Sequence, residues 1–384
     1  MKGATWEGSD DRITGIRLSS ASLPLPSPIS DAKVLTGRQR PMTEIAMLFA
    51  EIQTTDGLTG LGFGYSKRAG GQAQYGHATE IAPVLIDEDP SDIGRLWDKL
   101  VWAGASVGRS GASTQAIAAI DIALWDLKAK RARLSLAKLL GSYRNSVRCY
   151  NTSGGFLHSS TDEVIENASK AVERGIGGIK LKVGQPDSKK DLDRVQALRE
   201  SLGDDVPIMV DANQQWDRST AARVGRDLEQ FNLEWIEEPL DAYDNIGHAQ
   251  LAQLLTTPVA TGEMLTSVRE HAELIREQSV DIIQPDAPRI GGITQFQRLA
   301  ALADEAHLGL APHFAMEIHV HLAAAYPREP WVEHFEWLEP LFEERLEIAG
   351  GRMTVPLRLG LGLTLSEKAR AWTSAQADFG RIQD

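Results

Sequence analysis

The sequence has little cysteine, no long apolar run and a shortage of basic residues relative to acidic ones. Cys149 is the only cysteine in 384 residues, so an intramolecular disulfide is excluded and a reducing compartment is expected. No stretch approaches the roughly 18 apolar residues of a membrane span, and the N-terminus lacks the apolar part of a signal peptide, which together predict a cytoplasmic protein. A net charge of −13 opposes binding to nucleic acid or to anionic membranes. The positive charge needed to bind a small anionic substrate would therefore have to come from residues of the binding site itself.

Residues 1–142 are predicted to form an α+β domain. Alternating runs over 13–26 and 45–66 indicate strands, with a turn at Asp56-Gly57. The proline- and charge-rich stretch between the two runs, 24–41, is interpreted as a long loop. Helical periodicity follows over about 77–141. The glycine-rich C-terminal segment, 351–384, is expected to return to this domain.

Residues 143–350 alternate short apolar runs with amphipathic helical stretches about eight times. Such repetition with short connections predicts a parallel sheet closed as a (β/α)₈ barrel. A doubly wound open sheet is the alternative, but no GxGxxG motif follows the first strand. The predicted strands are VRCYNTS, GIKLKVG, PIMVDAN, LEWIEEP, VATGE, DIIQPD, LGLAPH and, less clearly, VEHFEW.

The predicted barrel strands from the second to the eighth carry ionisable residues at their ends, and active sites of such barrels lie at the carboxyl ends of the strands. Three carboxylates, Asp211, Glu237 and Glu263, come from successive strands at intervals of 26 residues. Unpaired, they would repel one another strongly, and a divalent cation would remove that cost. Oxygen ligands favour Mg²⁺, with Mn²⁺ as a substitute. The alternative is three carboxylates paired with surface lysines or arginines. The full set of strand-end residues is Lys180, Lys182, Asp211, Glu237, Glu263, Asp286, His313 and Glu333.

Two lysines and one histidine are candidate bases. Lys180 and Lys182 leave the same face of one strand, and mutual repulsion with a nearby cation is expected to lower the pKa of at least one of them. The alternative is an exposed pair of strand lysines. His313 and Asp286 end neighbouring strands and can form a dyad that fixes the imidazole tautomer. Lys182 and His313 could then flank a substrate from opposite faces. Three other histidines on or beside helical segments, His319, His321 and His334, are interpreted as structural.

Six motifs together resemble the enolase superfamily, in its mandelate racemase branch: KLK (180–182), VDAN (210–213), WIEEP (235–239), TGE (261–263), QPDAPRIGG (284–292) and PHFAMEIH (312–319). The resemblance covers nearly the whole chain and implies a modified (β/α)7–8 TIM barrel with an N-terminal capping domain. It implies that Lys182 is a base with Lys180 as its companion, and that the three carboxylates bind Mg²⁺. A Lys or His base acting with Mg²⁺ on an ene-diolate is the chemistry of this superfamily. The resemblance implies a homo-oligomer as well, and suggests an octamer.

The resemblance also implies roles for further residues. Glu333 matches the eighth-strand acid that donates a hydrogen bond to the substrate carboxylate, with Glu336 as its competitor. Asn213 could donate to a substrate hydroxyl or carboxylate. The cations of the capping domain, Lys33, Lys67 and Arg68, could hold the distal carboxylate of a diacid, although a lysine–arginine pair flanked by glycine is also typical of a solvated turn.

Within the branch, the pattern resembles hydro-lyases that act on six-carbon diacid sugars such as talarate and galactarate. Such enzymes convert the substrate to a 2-keto-3-deoxy diacid, and two opposed bases would also permit slow epimerisation. Three alternatives remain open. They are a dehydratase of a monoacid sugar, a racemase or epimerase of 2-hydroxy acids, and a non-catalytic sugar-acid binding module.

Overall fold

The computed structural model describes residues 11–382 and contains an antiparallel sheet with helices followed by a parallel barrel. The strands are β1 (Ile13–Ile29), β2 (Met42–Thr54), β3 (Thr59–Lys67), β4 (Ser146–Asn151), β5 (Ile179–Lys182), β6 (Ile208–Asp211), β7 (Ile236–Glu237), β8 (Val259–Thr261), β9 (Ile282–Ile283), β10 (Gly309–Leu310), β11 (Trp331–His334), β12 (Ile348–Ala349), β13 (Arg352–Thr354) and β14 (Thr373–Gly380).

The helices alternate with the strands throughout the second half of the chain. They are α1 (Ala32–Leu35), α2 (Gly71–Ile81), α3 (Ile93–Ala103), α4 (Ala112–Arg131), α5 (Leu136–Leu139), α6 (Thr161–Glu173), α7 (Ser188–Leu202), α8 (Arg218–Leu228), α9 (Asn245–Leu254), α10 (Val268–Arg276), α11 (Ala287–Ile290), α12 (Ile293–Glu305), α13 (Met316–Ala324) and α14 (Glu367–Ala371). Among the described residues, no helix combines the length and apolarity needed to cross a membrane.

The N-terminal sheet has the strand order β14-β1-β2-β3 and is antiparallel throughout. Strand β3 has two faces of different character. On one face, Gly60 and Gly62 allow α4 to pack at backbone distance, since a Cβ on either would lie 2.2 Å or less from a carbonyl oxygen of that helix. On the other face, Phe63 and Tyr65 join the apolar core shared with the barrel. The period-2 alternation of the strand thus aims one set of side chains at the barrel.

Eight parallel strands form the barrel and confirm the predicted fold class. Strands β4 to β10 pair in chain order, and β11 closes the barrel by pairing with β4. No ladder joins β10 to β11 among the described residues, so closure there depends on packing. The barrel interior opposite the site is filled by large apolar side chains, which leaves the carboxyl ends of the strands for polar residues. This filling consists of Tyr150, Met209, Trp235, Ala260, Ala311 and Trp331.

Two segments differ in detail from the sequence prediction. The stretch 24–41, predicted as a loop, contains the end of β1 and the short helix α1, which Asp31 caps by accepting from two backbone amides. Of the C-terminal segment 351–384, Thr373–Gly380 pair with β1, whereas Arg352–Thr354 pair with the barrel strand β4.

Candidate active site

The three carboxylates predicted as metal ligands meet at the carboxyl ends of β6, β7 and β8. Asp211 and Glu237 lie in direct register across β6 and β7, and Glu263 follows β8 by two residues. All three are buried, and one oxygen from each lies within 4.8 Å of the others. Like charges at about 5 Å repel by roughly 3 kcal/mol per pair at an effective dielectric constant of 20. The oxygen donor set and its negative charge fit Mg²⁺.

Both strand lysines point into this acidic cluster. Lys180 Nζ lies 2.5 Å from Glu237 Oε1, 2.9 Å from Glu333 Oε1 and 3.9 Å from Asp211 Oδ2. Lys182 Nζ donates to Asp211 Oδ2. Two ammonium groups therefore face four carboxylates. The net negative charge of these six groups would attract a divalent cation. The alternative of an exposed lysine pair is excluded, because Lys180 is 1% exposed and the side chain of Lys182 is 14% exposed.

The neighbouring carboxylates raise the pKa values of both lysines. Burial alone would lower the pKa of Lys182, but the carboxylate of Asp211 outweighs it and raises that pKa. The pKa of Lys180 is raised as well, because Glu237 and Glu333 outweigh the effect of burial. In this arrangement the carboxylates are the counter-ions of the two lysines. The expected lowering depends on a cation bound to those carboxylates and stays a prediction. A cation on the carboxylates would weaken that raising effect.

His313 and Asp286 form the predicted dyad. His313 Nδ1 lies 2.8 Å from Asp286 Oδ2, and His313 Nε2 lies 3.5 Å from Glu263 Oε2 on the side of the carboxylate triad. Burial, together with the ammonium of Lys67, lowers the pKa of His313 well below its usual value. The imidazole is therefore neutral near pH 7 and able to accept a proton.

Glu333, rather than Glu336, is the acid that reaches the site from β11. Its Oε1 accepts from Thr152 Oγ1 at 2.5 Å, and its Oε2 accepts from the backbone amide of Phe314 at 2.7 Å. Glu336 instead pairs with Arg174 outside the site. Burial alone would raise the pKa of Glu333, but Lys180 lowers it to about 2. All the described partners of Glu333 are donors, so it is an acceptor in these contacts, and the hydrogen bond to a substrate carboxylate stays a prediction.

A cavity of about 140 Å³ lies between the strand ends and the capping domain. Of the predicted capping-domain cations, Lys33 and Arg68 line this cavity, and Arg68 pairs with Asp31 at 3.0 Å. Lys67 also lines it, but its Nζ lies 3.2 Å from His313 Nε2, beside the dyad. Asn213 reaches the cavity while its backbone and side-chain nitrogens donate to Asp211, at 2.8 and 3.2 Å. Asn213 therefore orients a carboxylate of the triad as well as facing the cavity.

The three histidines interpreted as structural are all buried outside the cavity. His319 accepts from the backbone amide of Ala287, and His321 contacts the backbone of Ala137 and Leu361. His334 contacts the side chain of Asn151. Each uses a ring nitrogen to satisfy a neighbouring polar group, as buried histidines usually do.

Several polar residues of the site escaped the sequence analysis. Tyr65 donates to Asp286 Oδ2, Thr152 donates to Glu333, and Gln284 Nε2 donates to Glu237 Oε2 at 2.6 Å. Gln284 and Thr152 each follow a barrel strand by one residue, so an inspection of all strand-end polar residues, charged or not, would have found both. Tyr65 lies in the capping domain, where its alternation with Phe63 resembles that of a core residue.

Two family descriptions match most of the chain. Residues 35–141 match the mandelate racemase / muconate lactonizing enzyme N-terminal domain, and residues 163–369 match the enolase C-terminal domain-like family. The first match covers the capping domain, and the second covers the barrel strands that carry the carboxylate triad, both lysines and the dyad.

Relatives of high identity have the same architecture. The chain is 64% identical over 371 residues to L-talarate/galactarate dehydratase of Salmonella typhimurium LT2, covering 97% of this chain and 93% of that protein. The structure of L-talarate dehydratase from Polaromonas sp. JS666 in complex with Mg and L-glucarate is 71% identical, with a TM-score of 0.95 and coverage of 97% and 100%. The Salmonella enzyme liganded with Mg and L-lyxarohydroxamate is 62% identical, with a TM-score of 0.97 and coverage of 100% and 97%. With both domain families and these relatives matched over nearly its full length, this chain belongs to the mandelate racemase / muconate lactonizing enzyme family of the enolase superfamily.

Proposed function

We propose that this protein is a Mg²⁺-dependent hydro-lyase that dehydrates L-talarate and galactarate to a 2-keto-3-deoxy diacid. The observation that carries the proposal is the placement of two bases at different ends of one carboxylate triad. Lys182 contacts Asp211, whereas His313 contacts Glu263. Support for the acid-sugar class comes from the 64% identity to an L-talarate/galactarate dehydratase.

The residues of the triad, Asp211, Glu237 and Glu263, would hold Mg²⁺. When bound, Mg²⁺ supplies Lewis-acid stabilisation of the negative charge that develops on the substrate carboxylate. Lys180, buried between Glu237 and Glu333, adds an ammonium beside the same charge. Asn213 holds Asp211 through two hydrogen bonds, which fixes one corner of the triad.

The proton next to the substrate carboxylate is removed by one of the two bases, according to the configuration at that carbon. His313 Nε2 takes it on one face, and Lys182 Nζ takes it on the other as the neutral amine, after its ammonium has released a proton to water and left Asp211. The C–H electron pair moves into the carboxylate to form an ene-diolate. That pair then expels the β-hydroxyl, which leaves as water with a proton from the opposite group in its protonated form, the Lys182 ammonium or the His313 imidazolium. The enol product tautomerises to the ketone, and return of the proton from the opposite face gives slow epimerisation.

The cations of the capping domain would select a diacid. Lys33 and Arg68 line the cavity at a distance from the dyad, and Lys67 lies beside it. In a protein of net charge −13, these groups supply the local positive charge that a second substrate carboxylate needs. We propose that Lys33 and Arg68 bind that distal carboxylate.

The proposal is tested by incubating the enzyme and Mg²⁺ with a library of diastereomeric acid sugars and detecting ketone products with a carbonyl reagent. We expect turnover of L-talarate and galactarate, and its loss on removal of Mg²⁺ by EDTA. Lys182→Ala should lower kcat by at least about 10³-fold, as expected for loss of a positioned base. The control is Lys189→Ala in α7, which is exposed and does not line the cavity.

Retained turnover in EDTA, or turnover of both C2 configurations retained in Lys182→Ala, would refute the mechanism. Epimerised substrate without any ketone would indicate a racemase instead. Turnover confined to monoacid sugars would contradict the role given to the capping-domain cations.

We further propose that the enzyme works as a cytoplasmic homo-oligomer. The support for the oligomer is the family resemblance, and large side chains such as Trp102 at 66% and Tyr243 at 67% exposure are available at the surface for contacts between subunits. The single cysteine, Cys149, is buried and free, in keeping with a reducing compartment. A monomeric mass by light scattering at micromolar concentration would contradict the oligomer.

A further inference from the structure

Tyr65 connects the capping domain to the barrel dyad. Its hydroxyl donates to Asp286 Oδ2, the same oxygen that lies 2.8 Å from His313 Nδ1, and it lies 3.3 Å from Nδ1 itself. The ring is 1% exposed and packs edge-on against Phe314, with centroids 4.8 Å apart. The other oxygen, Asp286 Oδ1, has no hydrogen-bond partner in the described part of the chain. Tyr65 and His313 are therefore the two polar side chains that hold this carboxylate in place.

The contacts of His313 fix its tautomer. Nδ1 faces the acceptor Asp286 Oδ2, and Nε2 faces the donor Lys67 Nζ at 3.2 Å. A proton on Nδ1 and a lone pair on Nε2 that accepts from Lys67 satisfy both contacts at once. Tyr65 and Lys67 lie two residues apart on the barrel-facing side of β3. One strand of the capping domain thus reaches both ends of the imidazole of a barrel residue.

We propose that Tyr65 is a positioning residue for His313: its hydroxyl holds Asp286 in the orientation that keeps the Nε2 lone pair of His313 directed at the substrate. The inference rests on the proposed function, because it concerns one of the two bases in that reaction. Without the hydroxyl, Asp286 keeps a single described side-chain partner and can turn about its side-chain bonds. The imidazole would then lose its fixed tautomer and direction, which costs rate without removing the base.

The two bases should respond differently to loss of this hydroxyl. Lys182 is held by Asp211, a residue of the neighbouring barrel strand, and its described hydrogen bond involves no capping-domain residue. A change confined to Tyr65 should therefore slow proton removal by His313 and leave removal by Lys182 nearly unchanged. A purely structural role would lower both rates together, since both bases share the triad.

The experiment compares wild type with Tyr65→Phe, which keeps the ring against Phe314. The substrates are two C2-deuterated acid sugars of opposite C2 configuration, and the measurement is the release of deuterium to water. His313→Asn and Lys182→Ala identify which substrate depends on which base. We expect Tyr65→Phe to slow release from the His313-dependent substrate by about 10-fold or more through kcat, with KM changed less than about 2-fold. Release from the Lys182-dependent substrate should stay within about 2-fold of wild type.

Tyr326→Phe is the matched control, because it also deletes a buried hydroxyl with a hydrogen bond, 2.7 Å to Leu308 O, away from the site. It should leave the ratio of the two release rates unchanged. An equal loss of both rates in Tyr65→Phe, or no loss of either, would overturn the positioning role while the proposed function stands. No release from either substrate by the wild type would overturn the proposed function and the inference together.

Discussion

Lys33 differs from its neighbours in the cavity because no carboxylate pairs with it in the described structure. Arg68 is bound to Asp31, and Lys67 lies beside His313. Lys33 is therefore the cation best able to accept a distal substrate carboxylate without first losing a partner. Lys33 lines the cavity and is neither of the two bases, so we expect its contribution to be to substrate binding.

At the residue scale we predict that Lys33→Met raises KM for galactarate by about 10-fold, since a charge-assisted hydrogen bond contributes roughly 1.5 kcal/mol or more. The methionine keeps an apolar side chain of similar length, and kcat should change little because the contact is equal in ground and transition states. Steady-state kinetics measure both. Lys190→Met, on the exposed side of α7, is the control, and an unchanged KM in Lys33→Met would remove Lys33 from the substrate site.

The residues of the site differ in how visible they are in the sequence. Asp211, Glu237 and Glu263 could be predicted because charged residues that end successive apolar strands at one level of a barrel seldom serve packing alone. Tyr65 and Thr152 could not, since an aromatic in an alternating strand or a threonine after one is compatible with ordinary packing. The pKa directions of Lys180 and Lys182 were also beyond sequence reasoning, because they depend on ångström-scale distances to four carboxylates.

Among the elements, α13 is buried on all sides and carries two histidines into the interior. Burial lowers the pKa of His319 to about 3 and that of His321 to about 4. An unfolded chain would protonate both near pH 6.5. Below pH 6.5 the unfolded state binds protons at these two histidines and the folded state does not. Their full contribution to the free energy of unfolding is therefore present above pH 6.5 and is lost as the pH falls.

We therefore predict that His319 and His321 each lower the free energy of unfolding between pH 7 and pH 5 by up to about 1.4 kcal/mol per pH unit, against the opposite contribution of Glu317, whose pKa burial raises to about 8. His321→Asn should reduce this dependence, because it removes one proton-binding group while leaving an amide near the backbone of Ala137. Unfolding curves at half-unit pH steps measure it. His158→Asn, an exposed position, should keep the wild-type dependence, and an unaltered dependence in His321→Asn would contradict the assignment.

Some strands could be predicted from the pattern of apolar and polar residues, and others could not. Strands β7, β9 and β10 are two residues long, yet their apolar runs and polar ends made them predictable. Strand β14 was not delimited, because Thr373–Gly380 is mostly polar and largely exposed at the sheet edge. Its place is set by pairing with β1, more than 350 residues earlier in the chain, and such long-range pairing leaves no local periodicity to detect.

For the molecule as a whole, the two domains meet where charge is most concentrated. The barrel brings four carboxylates together, and the capping domain brings cations over them. Burial, together with neighbouring carboxylates, raises the pKa of Glu237 well above its usual value even though Lys180 opposes the shift. The folded state therefore carries an electrostatic cost at its centre that a divalent cation would offset.

We predict that Mg²⁺ alone stabilises the protein against heat. At 100 times its Kd, a ligand that binds only the folded state adds about 2.7 kcal/mol, which corresponds to a Tm increase of about 3 °C for a chain of this length. Glu263→Gln should lose most of this increase, because a neutral amide replaces a ligand of the triad. Glu238→Gln is the matched control, since Glu238 is buried beside Glu237 in sequence but bonds to Gln214 and stands outside the triad. Equal Mg²⁺-induced shifts in both variants would place the cation elsewhere, because the excess charge that draws it is specific to the three strand-end carboxylates.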